Sequence, residues 1–119
     1  MNILLIDDDP VIRSLVEDIL QSLGHRVVSA QDAAEGLLRF SQDQPQVVFL
    51  DYQLPDMTGL EVLRRLGAQS ASCAAPVILL SASDDPQLAV RARQAGAYGC
   101  LEKPFRLDDF VRVLASLSS

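Results

Sequence analysis

Four stretches of the 119-residue chain carry side chains that could share one polar centre: Asp7-Asp8-Asp9, Asp51, Ser81 and Glu102-Lys103-Pro104. Each follows an aliphatic run, namely Ile3–Ile6, Val47–Leu50, Val77–Leu80 and Tyr98–Leu101. If the first and third runs are neighbouring strands, Asp7, Asp8 and Asp51 converge. Like charges so close repel, and one carboxylate is pushed toward protonation unless a cation intervenes. An all-oxygen donor set with few carboxylates and room for water suits Mg²⁺, or Mn²⁺, rather than zinc. A hard cation beside a carboxylate, a lysine and a hydroxyl is equipment for phosphoryl transfer. Taken singly, each residue has a plain structural explanation. Asp9 before Pro10 reads as a helix cap, Ser81 as a loop residue and Lys103 as a solvated charge. The conjunction is what points to a site.

The elements that must position these groups follow from periodicity and punctuation. Continuous apolar runs suit parallel strands covered on both faces, and the short run at Val27–Val28 suits an edge strand. Between the runs lie stretches of helical period. Asp9-Pro10 opens the first helix, Val11, Ile12, Leu15, Val16, Ile19, Leu20 and Leu23 form its stripe, and Gly24 closes it. Asp32 and Glu35 have capping-box spacing ahead of Leu37, Leu38 and Phe40. Leu60, Leu63 and Leu66 mark a third helix, predicted to stop near Gly67. Asp85-Pro86 opens a fourth that Gly96 ends. Leu107, Phe110, Val111, Leu114 and Leu117 mark the last, with Asp108 and Asp109 in its first turn. Ala68–Ala75 is the one loop-like stretch of weak character. Alternation of this kind predicts an α/β fold, a (βα)5 doubly wound open parallel sheet with helices on both faces. In such sheets ligands bind outside the carboxyl ends of the strands, where the four polar stretches fall.

Composition narrows the setting. Residues 1–119 are expected to form a single domain, since 49% are apolar and both charge signs are mixed along the chain. The core must be aliphatic, with no Trp, four Phe and two Tyr. No apolar run approaches a membrane span, and the N-terminus runs into aspartates without a basic flank, so neither a signal nor an anchor is expected. Cys73 and Cys100 fit no metal spacing and no disulfide framework, which makes the cytoplasm the default compartment. A net charge of −6 argues against direct binding of nucleic acid.

Beyond these readings, the chain resembles a response regulator receiver domain, the phosphoacceptor module of two-component signalling. The resemblance rests on Leu4-Leu5-Ile6-Asp7-Asp8-Asp9-Pro10, on Val48 to Leu60 with Asp51-Tyr52-Gln53-Leu54-Pro55-Asp56-Met57-Thr58-Gly59, on Leu80-Ser81-Ala82 and on Lys103-Pro104-Phe105. It implies a flavodoxin-like fold with strand order 2-1-3-4-5, carried over from the family rather than read from spacing. It implies that Asp51 accepts a phosphoryl group from a phosphohistidine of a sensor histidine kinase or histidine phosphotransfer protein. Asp8 and Asp51 would hold Mg²⁺ with the backbone carbonyl of Gln53, and Asp7 would act mostly through water. Lys103 would contact a phosphoryl oxygen and pair with Asp51. Ser81 would hydrogen-bond the attached group, Ala82 would keep its approach open, and Pro55 and Gly59 would shape the loop. A cis bond is implied between Lys103 and Pro104. The homodimer surface expected for the domain is the fourth helix, fifth strand and fifth helix, and no membrane partner is expected.

The chain departs from the family at Cys100, where an aromatic residue usually couples to the hydroxyl. Tyr98 shares its strand parity but reads as a packing residue. His25 reads as an exposed turn residue. Arg91, Arg93, Arg106 and Arg112 read as solvated faces or a partner surface. Two other functions compete. A haloacid-dehalogenase-type phosphatase would use Asp7 in an Asp-x-Asp pattern, but it leaves Asp51 idle and wants a later acidic pair. A receiver-shaped interaction module would never use the phosphate. Neither a dinucleotide fingerprint nor a P-loop is present.

Overall fold

The computed structural model describes residues 1–69, 75–82, 86–103 and 105–118. Strand and helix alternate along the chain: β1 (Asn2–Ile6), α1 (Pro10–Ser22), β2 (Arg26–Ala30), α2 (Ala33–Asp43), β3 (Val47–Asp51), α3 (Gly59–Gln69), β4 (Val77–Ser81), α4 (Pro86–Gln94), β5 (Gly99–Glu102) and α5 (Leu107–Ser118). The strands form one sheet in the order β2-β1-β3-β4-β5, and every neighbouring pair is parallel. The expected (βα)5 architecture and its order are therefore observed, with β2 at an edge.

Strand parity divides the core. Ile3, Leu5, Val47, Phe49, Ile78 and Leu80 point to one face, where they pack with Val16 and Leu20 of α1 and Phe110 and Leu114 of α5. Leu4, Ile6, Val48, Leu50, Val77 and Leu79 point to the other, against Ala33 of α2, Val62, Leu63 and Leu66 of α3, and Leu88 and Ala92 of α4. Because both faces are covered, the strands read as unbroken apolar runs. Phe110 anchors the first face: its ring lies 5.4 Å from Phe49 and 5.6 Å from Phe105, in tilted and edge-on contacts.

Several local expectations change. The first-helix stripe is narrower than its apolar residues, since Val11 is 73% and Leu15 44% exposed. A helix lying on a sheet buries an arc of about 100°, and the residues at 12, 16, 19, 20 and 23 fill it. Leu38, Leu107 and Val111 are exposed for the same reason. Gly67 does not stop α3, which runs on to Gln69. A mid-helix glycine costs only about 1 kcal/mol, and burial of Val62, Leu63 and Leu66 outweighs it. The weak stretch Ala68–Ala75 therefore begins as helix; its residues 70–74, Cys73 among them, lie outside the described residues, as do Asp85 and Pro104 with the proposed cis bond. Gly24 and Gly96, at φ 90° and 104°, end α1 and α4 as expected.

Candidate phosphoacceptor site

The site is assembled by the way each strand stops. β1 runs out into Asp7, whose N–H still donates to the Ala30 carbonyl of β2 at 3.0 Å. The chain then turns tightly, because the Asp9 N–H donates to Asp7 Oδ1 at 2.9 Å. Asp9 is the expected cap of α1, accepting from the N–H groups of Val11 and Ile12 at 2.9 and 3.4 Å. Asp7 is consequently buried, whereas Asp8 faces solvent. Arg13, one turn into α1, donates from Nη1 to the Asp7 carbonyl at 2.9 Å. Sequence reading missed this brace, and only its position one turn beyond the cap could have flagged it.

Asp51 is the last residue of β3, buried to 6% exposure. The Gln53 N–H donates to its carboxylate. The loop beyond is closed by an antiparallel bridge between Gln53 and Thr58 and by the Gly59 N–H donating to the Tyr52 carbonyl. Gly59 is required by proximity: a Cβ there would lie 2.8 Å from both the Asp51 carbonyl oxygen and Tyr52 Cα. Ser81 ends β4, buried, and its carbonyl accepts from the Lys103 N–H at 2.8 Å. That bond extends the β4–β5 ladder and sends the Lys103 side chain over the carboxylates. Its Nζ lies 3.6 Å from Asp51 Oδ1 and 3.8 Å from Asp7 Oδ2.

All of the expected site residues therefore lie at one edge of the sheet. Asp8, Asp51, Gln53, Ser81, Ala82 and Lys103 line one open cavity. Asp7, Asp8 and Asp51 each offer a carboxylate oxygen, and these oxygens lie within 4.8 Å of one another.

The electrostatics are unfinished. Burial, with the Asp7 charge adding to it and Lys103 opposing, pushes the Asp51 carboxyl up to about 6. Burial likewise raises Asp7, against the Asp9 N–H and Lys103. Among the described residues, Asp7 Oδ2 is the buried side-chain oxygen with no hydrogen-bond partner. One ammonium facing two buried carboxylates leaves charge unbalanced, and a small hard cation among these oxygens would supply the missing partner. The donor set fits that group.

At the position the family gives an aromatic residue, Cys100 is half-buried and in no disulfide, opposite Leu79 in the β4–β5 register. Burial raises its thiol. Tyr98 is half-exposed, and its hydroxyl is hydrogen-bonded to Ser116 Oγ of α5 at 2.9 Å. His25 is half-buried rather than exposed, with Nδ1 2.9 Å from the Met1 nitrogen. Arg91, Arg93, Arg106 and Arg112 are exposed, and Arg91 reaches the rim of the cavity.

A five-stranded doubly wound sheet whose strand ends gather two buried aspartates, a hydroxyl and a lysine has the build of a flavodoxin-like receiver. The chain belongs to that family: it matches the response regulator receiver domain over residues 3–115. It is 42% identical over 106 residues to the C4-dicarboxylate transport transcriptional regulatory protein DctD of Pseudomonas aeruginosa, covering 89% of this chain and 22% of that protein. Against the transcriptional regulatory protein KdpE of Mycobacterium tuberculosis it is 39% identical over 109 residues, covering 92% and 47%. It thus spans half or less of these curated relatives. Among solved structures, the Vibrio cholerae chemotaxis protein CheY4 superposes with a TM-score of 0.90 at 29% identity, over 98% of this chain and 97% of that one. The chain is a signalling domain of two-component systems, and no helix among its described residues is long and apolar enough to cross a membrane. Against the phosphatase alternative stand this family membership and the burial of Asp7, which has one oxygen occupied by the Asp9 N–H.

Proposed function

We propose that residues 1–119 act as one receiver domain that takes a phosphoryl group on Asp51 from a phosphohistidine of a sensor histidine kinase or histidine phosphotransfer protein. The observation that carries this reading is the convergence of three carboxylate oxygens within 4.8 Å under a lysine amine 3.6 Å from Asp51. Asp7, Asp8, Asp51 and the Gln53 carbonyl would hold Mg²⁺, with Mn²⁺ an acceptable substitute. When bound, the cation neutralises phosphoryl oxygens and relieves the carboxylate repulsion.

The chain's own residues do the rest. An Asp51 oxygen forms the new O–P bond as the N–P bond of phosphohistidine breaks, and the imidazole leaves with that electron pair. Lys103 takes part of the charge on the phosphoryl oxygens, and Ser81 donates a hydrogen bond to the attached group. Positioning supplies most of the catalysis, because the nucleophile is already fixed at a strand end. Water later hydrolyses the acyl phosphate, so the only substrate is the domain itself. The added charge draws Ser81 and moves β4 and α4 between two packed arrangements. The domain is cytoplasmic, contacts neither nucleic acid nor membrane, and pairs with a second copy through α4, β5 and α5, where Val90, Tyr98 and Val111 are exposed.

The test is mass spectrometry after incubation with a small-molecule phosphodonor. One phosphoryl adduct is expected with Mg²⁺, and none without it or in Asp51→Asn. An adduct that survives in Asp51→Asn overturns the assignment, and no adduct in any condition favours the phosphate-independent interaction module. The switch is tested by amide spectra of Ser81–Cys100 with and without a phosphoryl mimic, and identical spectra would end it.

A further inference from the structure

Asp56 sits in the loop between β3 and α3, yet its carboxylate serves a different helix. Oδ1 accepts the Ala33 N–H at 2.9 Å and Oδ2 the Ala34 N–H at 3.0 Å. These are first-turn donors of α2, which no intrahelical carbonyl can satisfy. The helix's own cap, Asp32, takes the Glu35 N–H at 2.8 Å. The start of α2 is thus shared between a cap in its own sequence and one supplied from 23 residues away. Slight burial acts to raise the Asp56 carboxyl, but the Ala33 and Ala34 amides outweigh it and hold the group below its ordinary value.

The helix so captured is seated on the strand that carries the buried acid. Gly36 of α2 lies against Ile6, so closely that a Cβ there would come 2.5 Å from Ile6 Cδ1. Ile6 directly precedes Asp7, and the Ala30 carbonyl that receives the Asp7 N–H leads into α2. On the other side of the tie, Asp56 lies inside the segment closed by the Gln53–Thr58 bridge. Two loops that meet at the acidic centre, one bearing Asp7 and Asp8 and the other Asp51 and Gln53, are therefore joined a second time through α2.

The geometry points to Asp56 as a positioning residue for the cation: by clamping the Gln53 loop to α2, it sets the Gln53 carbonyl against the carboxylates of Asp7 and Asp8. This inference rests on the phosphoacceptor reading for the identity of the cation, but the clamp is measurable without it. Reciprocity follows, since cation binding that is aided by the clamp must itself protect the Ala33 and Ala34 amides from exchange.

The experiment is Mg²⁺ calorimetry and amide hydrogen exchange on the whole chain, comparing wild type with Asp56→Ala, Asp56→Asn and Asp32→Ala. Asp56→Ala is expected to weaken Mg²⁺ about tenfold, as loss of an outer partner of a metal ligand does. In the metal-free protein it should speed exchange at 53–58 as well as at Ala33 and Ala34. Asp56→Asn, which keeps one acceptor, should fall between, and it serves if the alanine variant does not fold. Asp32→Ala removes a cap from the same helix without touching the loop. It should loosen α2 while leaving Mg²⁺ affinity within about twofold of wild type, an effect too small to count as a lost positioning contact. Equal weakening by Asp32→Ala and Asp56→Ala would reduce Asp56 to an ordinary cap and overturn the inference, as would unchanged exchange at 53–58. A wild-type chain that takes up no Mg²⁺ overturns the phosphoacceptor reading and the cation part of this one, and the exchange data then judge the clamp alone.

Discussion

The middle of the sheet and its carboxyl edge obey opposite rules. In the middle, Leu5, Phe49, Leu79 and Leu80 are wholly buried and matched by apolar neighbours on both faces. At the edge, two residues beyond Leu5 and Phe49, Asp7 and Asp51 are as inaccessible as many core residues, but one ammonium must answer two carboxylates. Burial stabilises the first region and strains the second. The difference teaches that the fold tolerates an unfavourable edge because the middle holds the strands in register regardless.

The sharpest way to break that contrast is to cut each region and compare signs. Phe110→Ala removes the ring that packs on Phe49 and Phe105, and should lower stability by about 3–5 kcal/mol in denaturant titration. Asp51→Asn should do the reverse without cation. In the folded chain the carboxyl titrates at about 6, against 3.8 ordinarily. Folding therefore has the full benefit of the protonated acid below about pH 4 and loses it as pH rises through about 6. At pH 7.5 the loss amounts to about 3 kcal/mol, which the neutral amide recovers. Urea melts of wild type should weaken between pH 4 and 7, and those of Asp51→Asn should weaken less, keeping only the dependence that buried Asp7 contributes. A variant less stable than wild type at pH 7.5 would show that the edge is not strained.

Gly59→Ala tests the border between the regions, because the new methyl would press on the Asp51 carbonyl and Tyr52 Cα. A stability loss of about 1–3 kcal/mol is expected, accompanied by weakened Mg²⁺ uptake, since the backbone that must yield carries the nucleophile. The smallest effect belongs outside both regions. Val11→Ser should change the unfolding free energy by less than about 0.5 kcal/mol in the same urea melts, because Val11 faces solvent.

These regions were not equally legible in the sequence. The strand runs and the polar residues that end them can be read directly, because a buried parallel strand is unbroken in its apolarity and its stop is abrupt. The strand order could not be derived that way and came with the family resemblance. Helix stripes identify helices but not the limits of their buried arcs, so Val11, Leu15 and Leu38 resembled core. Gly67 has the residue type of a helix stop, while the packing of its neighbours decides otherwise. Of the three aspartates after β1, Asp9 is legible as a cap from the proline that follows it, but only the fold sorts Asp7 and Asp8 into one buried and one exposed. Asp56 gave no local sign at all, because the helix it caps lies earlier in the chain.

The Asp7 oxygen without a hydrogen bond has a practical corollary for anyone hardening this domain against heat. Selection for thermostability in the absence of divalent ions would reward neutral residues at positions 7 and 51 early, since relief there requires no repacking. The survivors would be sturdy and mute.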